Sequence, residues 1–319
     1  MTRKPRPIAI YHEHPDWFRP LFAELDRRGV PYVRIDARRH QYDTASKDGE
    51  FALVFNRMSP SAYLRGHGQG IFYTLSYLAH LERLGVRVIN GVRAFTVEIS
   101  KALQLSLLES LGLPYPCTRV INHPSEAVAA AHHLRFPVVL KPNIGGSGAG
   151  VARFDRPEEL GRAAAEGRLH LGIDHTALVQ EHIPARGGHI TRVEVLNGKF
   201  LYAIRVFLSG EDYNLCPADI CQTTGGVELQ RAACPAEAPK TGLKVEGYTP
   251  PSEIIAQAER IMQAAGIEVG GVEYILDDRD GRLLYYDINA LSNFVADAPR
   301  VVGFDPYAPL ADYLIQEAR

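Results

Sequence analysis

A strand, a lysine and a run of glycines form the part of this sequence with the clearest chemical meaning. Residues 138–151 read VVLKPNIGGSGAGV, so Lys141 follows an apolar strand and four glycines stand within six residues. Closely spaced glycines let backbone N–H groups approach phosphate oxygens without obstruction by Cβ atoms, and Lys141 adds a positive charge. We therefore expect this loop to bind phosphate, and a flexible surface turn is the alternative interpretation.

The spacing of these glycines excludes the two commonest nucleotide-binding motifs. The pattern G-x-G-x-x-G fails because neither Gly146 nor Gly148 is followed by glycine at the sixth place. The pattern G-x-x-x-x-G-K-[ST] fails because Lys141 precedes the glycines. An NAD-dependent dehydrogenase is also disfavoured. The glycines of such an enzyme follow the first strand of its fold, whereas the glycines of this chain stand in mid-chain.

Three oxygen-bearing side chains lie on the last predicted hairpin. Glu273 is in its first strand, and Asp287 and Asn289 are two residues apart in its second strand, where they share a face. Such oxygen ligands suit Mg²⁺. A two-residue turn at 280–281 would put Glu273 on the opposite face, whereas a three-residue loop at 279–281, with its glycine left-handed, would place Glu273 opposite Asp287. A metal site therefore requires an odd loop, and a solvated hairpin face is the alternative.

An earlier hairpin brings two arginines together. The Asn-Gly pair at 197–198 is the strongest short hairpin signal in the chain. Counted as a two-residue turn, it pairs Arg192 with Ala203 and puts Arg205 on the same face as a diagonal neighbour of Arg192. Two adjacent cations favour an anion between them, or a carboxylate such as Glu194 on that face. We therefore predict an anion site, with a structural ion pair as the alternative.

Strand and helix patterns alternate through residues 1–93. The strands are predicted at 8–11, 32–36, 51–55 and 86–89, and the helices at 15–28 and 69–84. This alternation predicts a parallel sheet covered on both faces, with ligands beyond the carboxyl ends of its strands. The polar residues best placed there to meet a substrate are His12, Glu13, His14, Arg57, Arg65 and His67. We take His14 and Arg57 as the substrate-binding candidates, because an arginine at a strand end suits a carboxylate.

The rest of the chain indicates two further units. Residues 94–184 carry helix patterns at 101–111, 125–134 and 157–166 and strand patterns at 118–121, 136–140 and 177–180. Residues 185–319 carry the two hairpins and helix patterns at 251–265 and 305–316. Segment 211–244 shows little periodicity, and loops of such length are usually functional or disordered.

Composition restricts the class of protein further. The 319 residues are 46% hydrophobic and 23% charged, and 35 Lys+Arg against 37 Asp+Glu leave a net charge of −2, which argues against a dedicated nucleic-acid-binding protein. No window is apolar enough for a membrane span, and the N-terminus lacks the apolar core of a signal peptide. The four cysteines match no zinc or redox spacing. We expect a cytoplasmic protein with free thiols and neither nucleic acid nor membrane as partner.

The order of these motifs resembles the ATP-grasp superfamily over essentially the whole chain. The matching parts are the helix-opening Lys101, the loop 141–150, the hinge VQEHI at 179–183 and the D-x-N at 287–289. Segments 56–60 and 84–91 resemble the branch that holds ribosomal-protein glutamate ligases, amino-group-carrier ligases of lysine biosynthesis and glutathione synthetases. The implied fold is α/β and α+β, with an α/β pre-domain (1–93), a central lid-like subdomain (94–184) and a C-terminal antiparallel-sheet subdomain (185–319).

The resemblance implies a role for each candidate residue. The ATP contacts would be made by Lys101, Lys141, Gly145, Gly146, Ser147, Gly148, Gln180, Glu181 and Ile183. Two Mg²⁺ ions, with Mn²⁺ as an alternative, would be held by Glu273, Asp287 and Asn289. An acyl phosphate would be faced by the catalytic residues Arg192 and Arg205.

The resemblance also implies an activity: ATP-dependent ligation of a carboxylate to an amine through an acyl phosphate, releasing ADP and phosphate. The substrates would be small carboxylates and amines, such as amino acids or a peptide terminus, and homodimers are common in the branch. Two alternatives remain open, a non-catalytic ATP-binding regulatory module of the same fold and a ligase that uses a thiol acceptor.

The sequence departs from the family pattern at three places. Asp287 replaces a glutamate, Ile190 replaces an acid, and segment 211–244, where we expect acceptor specificity, matches poorly.

Overall fold

The chain is described by a computed structural model over residues 6–146, 148–208 and 244–319. Ser147 and segment 211–244, apart from its last residue, therefore lie outside the described residues. Cys117 is a free, exposed thiol, and the other three cysteines fall in the range that is not described. Within the described ranges, none of the helices combines the length and the apolarity that crossing a bilayer requires.

A four-stranded parallel sheet forms the N-terminal part. Its strands are β1 (Ile8–His12), β2 (Tyr32–Asp36), β3 (Leu53–Arg57) and β4 (Arg87–Ile89), in the order β2-β1-β3-β4. Helix α1 (Arg19–Arg27) packs on the face that bears Ile8 and Ile10, and α2 (Gly68–Arg83) packs on the face that bears Ala9 and Tyr11. Both faces of the parallel sheet are thus covered, as the alternation of patterns predicts.

A four-stranded antiparallel sheet forms the central part. Its strands are β5 (Thr118–Ile121), β6 (Val138–Pro142), β7 (Ala152–Phe154) and β8 (Ala177–Glu181), in the order β5-β8-β6-β7. Helices α5 (Ala127–Ala131) and α6 (Pro157–Ala165) pack with Val138 and Leu140 on one face. Because side chains alternate along a strand, Val139 and Lys141 are left to the opposite face.

A five-stranded antiparallel sheet forms the C-terminal part. Its strands are β9 (His189–Leu196), β10 (Lys199–Phe207), β11 (Val245–Tyr248), β12 (Val269–Leu276) and β13 (Leu283–Asn289), in the order β11-β10-β9-β12-β13. Helix α7 (Ser252–Ala265) covers the face that bears Val193 and Val272. The opposite face carries Arg192, Glu194 and Glu273.

The remaining helices tie the parts together. They are α3 (Val92–Glu98), α4 (Lys101–Ser110), α8 (Ala298–Val302) and α9 (Tyr307–Glu317), and four short 3-10 turns span Pro15–Phe18, Ala62–Arg65, Pro124–Glu126 and Arg186–Gly188. Gln104 of α4 hydrogen-bonds both the N–H and the C=O of Ile288 in β13, and α4 shares a hydrophobic core with α7. Each sheet lies inside one of the three predicted units, but α4 packs against the C-terminal sheet.

The loop between β12 and β13 is longer than the three residues that a metal site seemed to require. The Asp277 N–H donates to the Arg282 carbonyl at 2.8 Å, which closes a four-residue loop over 278–281. Gly281 has a φ of +82°, the left-handed conformation expected at this glycine. The prediction of an odd loop is therefore wrong, because a regular ladder from this loop would put Glu273 opposite residue 286.

A β-bulge in β13 restores the expected pairing. Tyr274 pairs with Tyr285, but Glu273 pairs with Asp287, so Tyr286 is an extra residue in the ladder. The prediction that Glu273 lies opposite Asp287 is confirmed. Periodicity cannot reveal this extra residue, because a bulge leaves no fixed sequence signature here.

A second bulge separates the two arginines. The turn at 197–198 has two residues, as predicted, but the register shifts between Phe200 and Tyr202. Arg192 therefore pairs with Ile204, and Arg205 pairs with Thr191. Because paired residues share a face and neighbours along a strand do not, Arg205 lies on the opposite face from Arg192. The prediction that the two arginines share a face is wrong.

Candidate active site

A cleft of about 410 Å³ opens where the three parts of the chain meet. Twelve of the sixteen predicted site residues line it: Lys101, Lys141, Gly145, Gly146, Gly148, Gln180, Glu181, Ile183, Arg192, Glu273, Asp287 and Asn289. Ser147 is not described. Arg57, His14 and Arg205 lie outside the lining as the described residues define it.

Lys101 stands at the first position of α4. Ser100 caps this helix, since its hydroxyl accepts a hydrogen bond from the Leu103 N–H at 3.3 Å. The Lys101 Nζ forms an ion pair with the Asp287 carboxylate. Burial disfavours the ammonium, but Asp287 outweighs that effect and raises the pKa of Lys101. Lys101 is thus held charged inside the cleft.

Lys141 is the second cation of the cleft and is in a different state. Its side chain is buried on the inner face of β6, with Nζ 6.0 Å from the centre of the Tyr286 ring. Burial, followed by repulsion from Lys101, lowers the pKa of Lys141 to about 7. A polyanionic ligand at this point would recover the charge of the lysine.

The glycine loop turns back on itself between β6 and β7. Gly148 and Gly150 have φ values of +71° and +74°, and a Cβ on Gly150 would lie only 2.9 Å from the Pro142 ring. Glycine is therefore required at position 150. The N–H groups of Gly145 and Gly146 have no acceptor within the described part of the chain, and both residues line the cleft.

The hinge after β8 leaves one backbone donor open. The Glu181 N–H donates to the Cys117 carbonyl, and the His182 N–H donates to the Pro137 carbonyl, both at 2.9 Å. The Gln180 side-chain amide donates to the Thr118 hydroxyl at 2.7 Å. Among the described residues, nothing accepts from the N–H of Ile183. Backbone at position 183 is therefore the part of the hinge that can recognise a flat heterocycle by its edge.

The acidic face lies across β12 and β13. The Glu273 carboxylate accepts from Arg192 Nη1 at 3.0 Å and from the Tyr286 hydroxyl at 2.7 Å. The Asn289 amide donates to Asp287 Oδ2 at 3.2 Å. Burial raises the pKa of Glu273, whereas Lys101 overcomes the effect of burial on Asp287 and lowers its pKa.

These residues fit Mg²⁺ as a partial ligand set. Two carboxylates and an amide oxygen share one face, and hard oxygen donors of this kind are what Mg²⁺ takes. Over the described ranges no cluster of three or more His, Cys, Asp or Glu side chains could hold a metal. The set therefore suits an ion that keeps water and phosphate oxygens among its ligands, and it does not form an all-protein cage.

Arg192 is already paired inside the protein. Its Nε donates to Glu194 Oε1 at 2.5 Å, in addition to its bond with Glu273. The structural ion pair, offered as the alternative to an anion site, is thus present. Arg205, on the other face, has its guanidinium carbon 3.9 Å from the centre of the Tyr248 ring. The catalytic role expected for Arg205 has no geometric support.

Arg57 and His14 contact residues that line the cleft, but they do not line it themselves. The Arg57 guanidinium donates to the carbonyls of Ala290 at 3.1 Å and of Ser292, and burial lowers its pKa to about 10. His14 stacks on Trp17, with ring centres 4.8 Å apart. Of these two rings, only that of Trp17 lines the cleft. Arg57 therefore supports the segment that follows β13. This role differs from the substrate contact that we expected of Arg57.

Several cleft residues were missed from the sequence. They include Trp17, Ser59, Ser61, Glu98, Tyr286 and Ser292. The Glu98 carboxylate accepts from the Ala290 N–H, and burial raises its pKa to about 7. Glu98 is the last residue of α3, and no pattern in the sequence marks it as a cleft residue. Tyr286 was missed because it is the bulged residue of β13, which periodicity does not reveal.

Comparison of sequences connects this geometry to known proteins. Residues 99–213 match the model of the RimK-like ATP-grasp domain. A D-alanine–D-alanine ligase of Pseudomonas entomophila (strain L48) is 26% identical over 291 residues, which cover 89% of this chain and 82% of the relative. One from Alkalilimnicola ehrlichii is 28% identical over 293 residues, with coverages of 90% and 84%.

Comparison of structures gives the same fold. The ATP-grasp ligase PsnB, solved with a minimal precursor, has a TM-score of 0.70 at 20% identity over 98% of this chain and 100% of PsnB. A RimK domain protein of Sphaerobacter thermophilus has a TM-score of 0.67 at 21% identity, with coverages of 96% and 98%. The D-cycloserine synthetase DcsG has a TM-score of 0.67 at 17% identity, with coverages of 98% and 100%.

The fold of the chain is thus the ATP-grasp fold. Residues 99–213 carry a RimK-like ATP-grasp domain, and over most of its length the chain is similar to proteins named D-alanine–D-alanine ligase and to solved ATP-grasp ligases.

Proposed function

We propose that this protein joins a carboxylate to an amine through an acyl phosphate, with release of ADP and phosphate. The observation that carries the proposal is the meeting of Lys101 of α4 with Asp287 of β13 in one cleft. A lysine suited to bind phosphate stands beside a carboxylate suited to bind a metal. This arrangement suits a nucleotide whose phosphates contact both the lysine and the metal.

The ATP site of the proposal extends from the hinge to the acidic face. The N–H of Ile183 would recognise the adenine edge, and the N–H groups of Gly145 and Gly146 would cover the phosphates. Lys101 and Lys141 would contact the α- and β-phosphates. Since ATP arrives with several negative charges, it compensates the cost of burying both lysines.

The metal site of the proposal consists of Glu273, Asp287 and Asn289. We place two Mg²⁺ ions there, and Mn²⁺ is a chemically suitable substitute. When bound, Mg²⁺ offsets the repulsion between the phosphates and an attacking carboxylate. Tyr286 and Arg192 orient Glu273 by the hydrogen bonds that they donate to it, and Lys101 orients Asp287 by an ion pair. Asn289 is held by the bond that its amide donates to Asp287.

The chemistry proceeds in two transfers. A carboxylate oxygen attacks the γ-phosphorus while the bond to the leaving ADP oxygen breaks. The amine nitrogen then attacks the acyl carbon, the bond from that carbon to the phosphate oxygen breaks, and phosphate leaves with the proton released by nitrogen. Phosphoryl transfer depends mainly on positioning and electrostatics, which the two lysines and Arg192 would supply. A closed glycine loop would exclude water from the intermediate.

The substrates of the proposal are small carboxylates and amines, such as amino acids, or a peptide terminus. The relatives include D-alanine–D-alanine ligases and PsnB, which was solved with a precursor peptide. Arg205 has no part in the proposal, because the bulge between Phe200 and Tyr202 turns it away from the cleft.

The proposal is tested by ADP formation from ATP and Mg²⁺ with pooled amino acids and carboxylic acids, with and without amines. We compare the wild type with Lys141→Ala and with Lys199→Ala, a matched variant of a lysine that is exposed on the β9–β10 turn. ADP that requires both acid and amine, and that only Lys141→Ala loses, supports the proposal. ATP binding without turnover favours a regulatory module, ADP that requires a thiol favours a thiol acceptor, and failure to bind ATP contradicts the ATP site.

A further inference from the structure

Glu194 is a buried carboxylate with one satisfied oxygen and one free oxygen. Its side chain is 1% exposed and belongs to the lining of the cleft. Oε1 accepts from Arg192 Nε at 2.5 Å and from the Ser292 hydroxyl at 2.8 Å. Oε2 is buried and has no hydrogen-bond partner among the residues that the structure describes. Leaving a buried carboxylate oxygen unpaired costs free energy, so the site lacks a donor.

The sheet provides space for this carboxylate. Gly271 of β12 pairs with Glu194 of β9, and on its other side it pairs with Asn289 of β13. A Cβ on Gly271 would lie 3.0 to 3.1 Å from the Glu194 Cδ, Oε1 and Oε2 atoms. The carboxylate therefore lies over the bare backbone of Gly271, and a Cβ there would press it away by a few tenths of an ångström.

The charges around Glu194 are balanced, but its hydrogen bonds are not complete. The guanidinium of Arg192 is shared between the carboxylates of Glu194 and Glu273, and the buried Arg57 guanidinium, which bonds only neutral oxygens, also attracts Glu194. The open requirement is a donor for Glu194 Oε2. A ligand that brings an N–H donor would satisfy it, and an ammonium N–H is the strongest donor of this kind.

Glu194 is also at a useful distance from the acidic face. It is two residues from Arg192 along β9, which is one step of roughly 6.7 Å between side chains of the same face. The cross-strand row of Arg192 contains Glu273 and Asp287, where the proposed phosphates and metal lie. The row of Glu194 contains Gly271 and Asn289, which is the third proposed metal ligand. A nucleophile bound at Glu194 would therefore lie beside the proposed metal site and next to the phosphoryl group.

We propose that Glu194 Oε2 binds the amino group of the acceptor substrate, a primary amine that arrives as an ammonium ion and passes one proton to this carboxylate before its nitrogen attacks the acyl carbon. The inference rests on the proposed function and names the residue that selects the acceptor. It favours aliphatic amines and amino acids over thiols, because a thiol S–H is only a weak donor for the open carboxylate oxygen. Gly271 would be the second requirement of this subsite.

The test compares wild-type protein with Glu194→Gln. The glutamine keeps an oxygen that accepts from Arg192 and Ser292, but it removes the negative charge. We measure KM and kcat for the amine, with each of the twenty amino acids as the probe, and KM for ATP. In parallel, hydroxylamine near neutral pH, a neutral nucleophile, traps the acyl phosphate as a hydroxamate. Glu246→Gln, an exposed acid on the edge strand β11, is the matched control.

We expect Glu194→Gln to raise KM for the amine about 10- to 100-fold, which is the value of a buried charged hydrogen bond. Its KM for ATP and its hydroxamate yield should stay within a factor of two or so of the wild type, and Glu246→Gln should match the wild type throughout. The inference is overturned if KM for the amine is unchanged. It is also overturned if hydroxamate formation falls with amine ligation, because Glu194 would then only position Arg192. If the wild type itself forms no hydroxamate from ATP and acid, the proposed function fails first and the inference fails with it.

Discussion

At the scale of single residues, the cleft is built from charges that neutralise one another in the absence of ligand. Lys101 pairs with Asp287, and Arg192 pairs with Glu273. ATP and Mg²⁺ bring the complementary set of charges, so the lysine can exchange a carboxylate for phosphate while the carboxylate exchanges the lysine for metal. Such an exchange keeps these four side chains paired both before and after binding.

Lys141 is the exception, because no carboxylate of the cleft is hydrogen-bonded to it in the described structure. Its pKa is lowered to about 7 in the folded protein, against an ordinary value of 10.5. Between these values the unfolded chain binds more protons, so the free energy of unfolding rises with pH in this window. Below about pH 7 both states are protonated, and the full cost of the buried charge is present.

We therefore predict a pH-dependent difference between the wild type and Lys141→Met. Without nucleotide and metal, the wild type should gain up to about 1.4 kcal/mol per pH unit relative to Lys141→Met as the pH rises from 7 towards 10. Urea denaturation at several pH values measures the difference. Parallel curves for the two proteins would show that Lys141 keeps an ordinary pKa.

At the scale of elements, the carboxyl end of β13 is held by buried polar side chains from the N-terminal half of the chain. Asn90 donates to the carbonyls of Val269 and Ala290 at 2.7 and 2.9 Å. Arg57 donates to the Ala290 carbonyl, and Glu98 accepts from the Ala290 N–H. The positions of the proposed metal ligands on β13 are therefore fixed by contacts that cross between parts of the chain.

We predict that Arg57→Met lowers the free energy of unfolding by about 3 kcal/mol. The carbonyls of Ala290 and Ser292 would lose a charged donor in a buried place, and each such loss costs roughly 1–3 kcal/mol. Urea denaturation measures the change, with the exposed Arg39→Met as control. A loss below about 0.5 kcal/mol would contradict the supporting role of Arg57.

The sequence predicted local features correctly, but it did not predict the β-bulges or the contacts between distant parts of the chain. The glycine loop, the hinge and Lys101 at a helix start are local features, and the cleft contains all of them. The faces of Arg205 and Asp287 depend on two bulges, which single-sequence periodicity does not show. The role of Arg57 depends on a contact more than two hundred residues away in the chain, which no local pattern encodes.

At the scale of the whole molecule, the cleft has walls from all three parts. Ser61 comes from the N-terminal part, Lys141 and Gly146 from the central part, and Asp287 from the C-terminal part. A ligand held by all of these walls binds the folded chain and not the unfolded one. Its binding free energy therefore adds to the stability of the whole protein.

We predict that ATP raises the thermal midpoint only when Mg²⁺ is present. At a concentration of 100 times Kd, the ligand should add about 2.7 kcal/mol to the free energy of unfolding. Differential scanning fluorimetry with ATP, Mg²⁺ or both measures the shift, and Lys101→Met should lose it. An equal shift with ATP alone would contradict the role of the acidic face in holding the metal.

The order of the three sheets was visible in the sequence, but the position of α4 was not. Its predicted unit is the central one, whereas its Leu105 and Leu108 pack with Ile261 and Tyr285 of the C-terminal part. An amphipathic helix shows that it needs an apolar partner, and it does not show which sheet supplies that partner.

The bulge in β13 changes how many functional side chains the strand can present to one face. A regular strand presents one side chain in two to a given face. Tyr286 and Asp287 are consecutive, yet both line the cleft. Deleting Tyr286 would leave Asp287 opposite Glu273 in an uninterrupted ladder, but it would remove the phenol that donates to Glu273. The bulge thus lets two consecutive residues, a tyrosine and an aspartate, present their side chains to the same cleft. A regular strand would present only one of the two.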